Sequence, residues 1–150
     1  MISKLLKEIN SHLKSIDKKN EKVSRSSVGW QLDHCTRTMC TIGKALIKSE
    51  PQTFKRTFAW KWLIISGLQY IPRGKGRAPK IAVNPNEITA EELKTLIQNA
   101  ESIWKKVEQL DKNAFFAHPY FGNLNKRQAK KFVKIHTRHH LKIVRDILKD

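Results

Sequence analysis

The sequence predicts an all-α protein: a four-helix bundle with a long crossover between the second and third helices. Three observations carry that prediction. Four stretches repeat apolar residues at helical spacing, with caps or breakers at their ends. No stretch shows the sustained two-residue alternation of a half-buried strand. The link between the second and third helices is on the order of forty residues, far beyond the roughly two to eight that join helices in a tight hairpin.

The first helix is read over residues 2–18, where Ile2, Leu5, Leu6, Ile9, Leu13 and Ile16 form one apolar stripe with His12 at its rim. Residues 18–27 are polar and make a connection. The second helix starts near Ser26 or Ser27, either of which can cap it, and runs to about Lys48, ahead of Glu50-Pro51. Residues 51–71 are ambiguous. Phe54, Phe58, Trp60, Trp62, Leu63, Ile64 and Ile65 make a dense apolar patch, expected as a short helix or a crossover segment lying on the bundle. The same patch suits an interface, so a homodimer is among the expected assemblies.

Residues 72–85 are rich in proline, glycine and base, which reads as a loop. Thr89 and Glu92 form a capping box that starts the third helix, which continues through Leu93, Leu96, Ile97, Ile103, Trp104 and Val107 to about Leu110. Residues 112–124 are expected as a structured loop. Asn125 caps the fourth helix, whose apolar stripe carries Phe132, Val133, Ile143, Val144 and Ile147.

Length and composition narrow the class. A chain of 150 residues is expected to form a single domain able to bury a real core. A hydrophobic content of 39%, with four Trp and six Phe, argues against disorder. Cys35 and Cys40 are too few for a disulfide framework and diverge on a helix, which fits a reducing compartment. The N-terminus lacks the apolar run and small-residue cleavage site of a signal peptide. The most apolar run, residues 58–71, is too short to span a bilayer and contains Lys61. The expectation is a soluble, cytoplasmic protein with no membrane partner.

The net charge of +17 is the main compositional anomaly, and it is uneven. Residues 51–86 carry seven Lys or Arg and no acid, and residues 112–145 carry nine and no acid. Such a surface attracts polyanions, at least weakly. The chain holds no helix-turn-helix spacing, finger pattern or aromatic RNA-binding signature. A basic nucleic-acid-binding module, which would present a continuous positive face, therefore stands as an alternative to an enzyme.

The candidate chemistry lies in the fourth helix. His136 and His140 are one turn apart on one face, within the apolar stripe, while His139 is rotated to its flank. Two inward imidazoles need partners, either a shared metal ion or hydrogen bonds from other helices. In the second helix, His34 shares a face with Trp30, Thr38, Thr41 and Ala45, and the small residues below it leave space for a ligand or for close helix contact. Cys35 is turned about 100° away and is expected in the core. Bundles build metal sites from facing helices, and His34, His136 and His140 suit one.

The layout of one histidine in the second helix and H-x-x-x-H in the last resembles the DinB-like (DNA-damage-inducible, YfiT-like) metalloenzyme superfamily. His34-Cys35, the segment His118-Pro119-Tyr120-Phe121-Gly122, and His136-x-x-His139-His140-Leu141 resemble more narrowly a branch of unknown function with HPFFG and HxxHHL motifs. The resemblance spans essentially the whole chain. Two departures are Lys142-Ile143-Val144, where relatives often carry an Arg-Gln pair, and Gln128, near a position usually aromatic.

The resemblance implies one divalent ion, zinc or nickel, on His34, His136 and His140 with coordination positions left open. It also implies activation of a low-molecular-weight thiol or of water towards a small electrophilic substrate, as in a transferase or hydrolase. His118 and His139 are secondary candidates for acid–base or supporting roles; in a purely structural role His118 and Pro119 shape a turn. Gln31 and Asp33, beside His34, are assigned nothing. A non-catalytic, stress-associated module of the same fold is the further alternative.

Overall fold

The computed structural model describes residues 1–72 and 88–149. Within them the chain is mostly helical, with five α-helices and one two-stranded sheet. The helices are α1 (Ile2–Ser11), α2 (Val28–Lys48), α3 (Trp60–Leu68), α4 (Ala90–Glu108) and α5 (Lys126–Ile147). The strands β1 (Phe115–His118) and β2 (Gly122–Asn125) form an antiparallel hairpin directly before α5.

The caps expected from the sequence are made. Ser27 accepts the Trp30 N–H and opens α2. Thr89 and Glu92 exchange hydrogen bonds at the start of α4, as Asn125 and Gln128 do at the start of α5. Each such cap satisfies backbone donors that a helix leaves unpaired, and is worth roughly 1 kcal/mol.

Two expectations change. The first helix ends at Ser11, and residues beyond His12 tighten into a short 3-10 turn, Leu13–Ser15. Residues 112–124, expected as a loop, contain β1 and most of β2. Four residues per strand are too few to show alternation, so only their pairing with each other defines them. The ambiguous stretch contains α3, a short helix that buries only Trp62 and Ser66. Phe58, Trp60, Leu63 and Leu68 stay more than half exposed. The loop expected over residues 72–85 lies, after Pro72, outside the described residues.

The core is shared by α1, α2, α4 and α5. α2 packs against both α4 and α5, and α1 packs against the same two helices. Ile9, Leu32, Met39, Leu46, Leu93, Val133 and Val144 are essentially sealed from solvent. At roughly 1.5–3 kcal/mol for each large apolar side chain buried, this stripe-on-stripe packing dominates stability. Gly43 sets the approach of α2 to α4, because a Cβ there would run into the Ile103 side chain. Trp104 Nε1 donates to the Met39 carbonyl across the same contact at 3.2 Å.

Two hydrogen bonds position the hairpin. The Phe115 N–H donates to Ser49 Oγ at 3.0 Å, tying β1 to the end of α2. The Asn123 N–H donates to Thr57 Oγ1 at 2.7 Å, bringing the segment before α3 alongside β2. Because β1 starts where α2 ends, α5 returns antiparallel along α2. Its middle then meets the N-terminal half of α2, which sets the site.

Candidate metal centre

His34 is on the second turn of α2, behind the Ser27 cap, and His136 and His140 are successive turns of α5. The antiparallel return brings all three together. Ring centroids are 4.7 Å apart for His34–His140, 4.6 Å for His136–His140 and 5.2 Å for His34–His136. One ligand nitrogen from each lies within 4.8 Å of the others. His34 and His140 are buried and His136 is partly covered.

The surrounding residues fix these rings. The Trp30 indole stacks on His34 at 5.0 Å with a 13° interplanar angle. Gln31 Oε1 accepts from His140 Nδ1 at 2.6 Å, while its amide nitrogen donates to Ser24 Oγ at 3.2 Å. That network places the His140 proton on Nδ1 and leaves Nε2 as a free lone pair. His136 Nδ1 is buried without a hydrogen-bond partner. Leaving such a nitrogen unsatisfied costs roughly 1–3 kcal/mol, which a metal ion offsets.

Burial and mutual repulsion keep the His136 and His140 rings neutral. Burial, followed by the nearby imidazoles of His34, His139 and His118, pushes His136 down to about 3. Burial and the neighbouring His136, His34 and His139 hold His140 well below the usual imidazole range. Three close imidazoles cannot share protons cheaply, whereas neutral imidazole is the form that ligates metal.

The other sequence candidates fall outside this group. His118 ends β1, where its Nδ1 accepts the Tyr120 N–H at 3.1 Å. Its ring stacks on Phe121 at 4.2 Å and meets Phe132 edge-on at 4.7 Å. The Phe132 ring is in turn 5.6 Å from His136, so His118 stands one aromatic ring away from the cluster. Burial pushes it down to about 4. His139 meets His140 edge-on at 5.2 Å from the flank, as its helical position indicated.

Cys35 is fully buried and its thiol is pushed up to about 12 by burial, which removes it from the site chemistry. Asp33 is engaged by Arg37 Nε at 2.8 Å and contributes no ligand. Gln31 is the correction: assigned nothing from the sequence, it holds His140, one of the three clustered histidines. Its position three residues before His34, on the same helical face, is the signal that identifies it.

Beside His118 a groove of about 370 Å³ runs between residues 57–61 and 118–122. Phe58, Trp60 and Tyr120 line it as exposed aromatics.

Helical packing and a three-histidine cluster together define a mostly helical protein with an interior site able to hold a metal ion. The family comparison agrees with a whole-chain assignment. Residues 6–147 match the family described as protein of unknown function (DUF1569), and the chain belongs to that family. No curated protein and no solved structure matches it. Among the described residues no helix is long and apolar enough to cross a membrane.

Proposed function

We propose that the chain is a metal-dependent enzyme of the DinB-like type, a four-helix bundle of α1, α2, α4 and α5 with one divalent ion on His34, His136 and His140. The observation that carries this reading is the convergence of three imidazoles, one nitrogen of each within 4.8 Å of the others, with His136 Nδ1 buried and unsatisfied. Three nitrogen ligands with open positions characterise reactive rather than structural sites, and imidazole suits zinc or nickel. When bound, such an ion lowers the pKa of water or a thiol and polarises an electrophile.

The chain's own residues supply the rest. Gln31 fixes the His140 ring, and Trp30 covers His34. The groove beside His118 offers an apolar wall for a small electrophilic substrate. His118, with Nδ1 accepting the Tyr120 N–H, keeps its proton on Nε2 and is placed to donate it at the groove. The two departures from the DinB-like pattern fit structural roles: Gln128 caps α5, while Ile143 and Val144 fill the core. The exposed face of α3 is where we place a homodimer contact, and we expect the protein to act in the cytoplasm.

The test is metal content by mass spectrometry on untagged protein, beside His136→Ala and His140→Ala. About one equivalent of zinc or nickel in the parent chain, lost in both variants, supports the site. It justifies assays of thiol consumption against small electrophiles. Absence of metal after reconstitution with either ion ends the reading.

A further inference from the structure

The charge of the chain is organised on the face of α5 turned away from the histidines. Arg127, Lys131, Lys134, Arg138 and Lys142 follow one another at three- or four-residue intervals, within about a quarter-turn of a single line. The row is on the order of 20 Å long at 1.5 Å rise per residue. Four of the five are exposed and Lys134 is half-buried. At its C-terminal end the row stops at Arg145, which pairs with Glu8 of α1.

At the other end the row enters a groove of about 490 Å³ between α5, Lys112 and Gln69. Among the described residues, no acidic side chain lines that groove. Lys126 and Lys130 add charge there and are held in place: Lys126 Nζ donates to the Glu108 carbonyl at 3.3 Å, and Lys130 pairs with the Glu108 carboxylate at 2.7 Å. No ion pair within the described residues neutralises Arg127, Lys131, Lys134, Arg138 or Lys142.

We propose that this outer face of α5 docks the phosphate backbone of a nucleic-acid duplex without reading its sequence. Two features select that occupant. The row continues about two turns beyond the groove, farther than a compact anion reaches, and repeats one cation per 5.4 Å turn. A polymer with a charge every 1.7 Å of axis can meet each of them. Among the described residues no aromatic side chain lines the groove, so they offer no stacking platform of the kind that single strands use. Nothing in the row reaches base edges as a built pair, so affinity is electrostatic and sequence-independent.

The experiment is fluorescence anisotropy of the full chain with two unrelated fluorescein-labelled 20-base-pair duplexes, from 50 to 200 mM KCl. A variant with Arg127, Lys131, Arg138 and Lys142 all changed to Gln is compared with a charge-matched control changing Lys14, Lys18, Lys94 and Lys106, exposed residues that do not line the groove. Circular dichroism checks that both fold. The row variant is expected to lower the slope of log affinity against log salt by about three to four, at roughly 0.9 per phosphate contact, equally for both duplexes. The control is expected to lower it by less than one. His136→Ala is expected to bind as the parent does. Equal losses in row and control variants would assign the affinity to bulk charge and overturn the proposal. Displacement by inorganic triphosphate at matched phosphate concentration would overturn it in favour of a compact anion. Loss of binding in a folded His136→Ala chain would move the contact to the histidine site.

Discussion

Gln31 and His140 are 109 residues apart in the chain, yet Gln31 Oε1 accepts from His140 Nδ1 at 2.6 Å. This bond joins α2 to α5 and sets the tautomer of a histidine in the three-membered cluster. A groove-facing residue would not need it; a ligand whose other nitrogen must stay unprotonated does.

Gln31→Leu is therefore expected to weaken zinc affinity by about 10–100-fold, the range typical for loss of such a supporting hydrogen bond. The helix position tolerates Leu, so the fold should persist. Competition titration with a chelating dye, beside a melting curve, separates the two effects. Unchanged zinc affinity would show that the bond serves packing alone.

Stability of metal-free protein is expected to fall on mild acidification. His118 and His136 are neutral in the fold, down to about 4 and about 3, but have ordinary imidazole values near 6.5 when unfolded. Between those limits the unfolded chain binds more protons, so stability rises with pH. The contribution is complete above about pH 6.5 and is lost as pH falls towards 3–4. Urea midpoints at pH 7.5, 5.5 and 4.5 should decline in order. His118→Phe, which keeps the stack on Phe121, should decline less steeply.

Gly122 sits at φ +66° opposite Thr57, whose side chain a Cβ would strike. The same Thr57 hydroxyl accepts the Asn123 N–H that ties the segment before α3 to the hairpin. Gly122→Ala is expected to cost about 1–3 kcal/mol, combining left-handed strain with overpacking. Thermal unfolding measures it. A loss below about 0.5 kcal/mol would mean that Thr57 swings away freely.

Ile64 and Leu68, one turn apart on α3, expose 49% and 70% of their surfaces, which leaves an apolar face in water. If that face joins two copies, Ile64→Glu with Leu68→Glu yields monomer at concentrations where the parent sediments as dimer. Analytical ultracentrifugation reads this directly. A parent chain that is monomeric at high concentration removes the homodimer.

Much of the fold was legible. The stripes of α1, α2, α4 and α5, and the caps Ser27, Thr89 and Asn125, all follow from residues within a few positions of one another. The histidine pair of α5 was legible for the same reason, since i,i+4 geometry is local. Adding His34 required the arrangement of α2 against α5, which the bundle reading and the family-like motifs anticipated. The hairpin was missed because each strand is four residues long and gains its hydrogen bonds only from the other. Gln31 shares a helical face with His34, which marks it as a neighbour of the site, but its bond to His140 depends on α5 standing opposite.

By itself, then, the sequence determined the helices, their apolar faces and the residues able to bind metal, because the 3.6-residue repeat and capping are short-range. Tertiary structure alone decided the ring separations, the Gln31–His140 bond, the β1–β2 pairing and the exposure of α3. These depend on which distant groups meet, and packing of whole faces, not any local preference, sets those meetings.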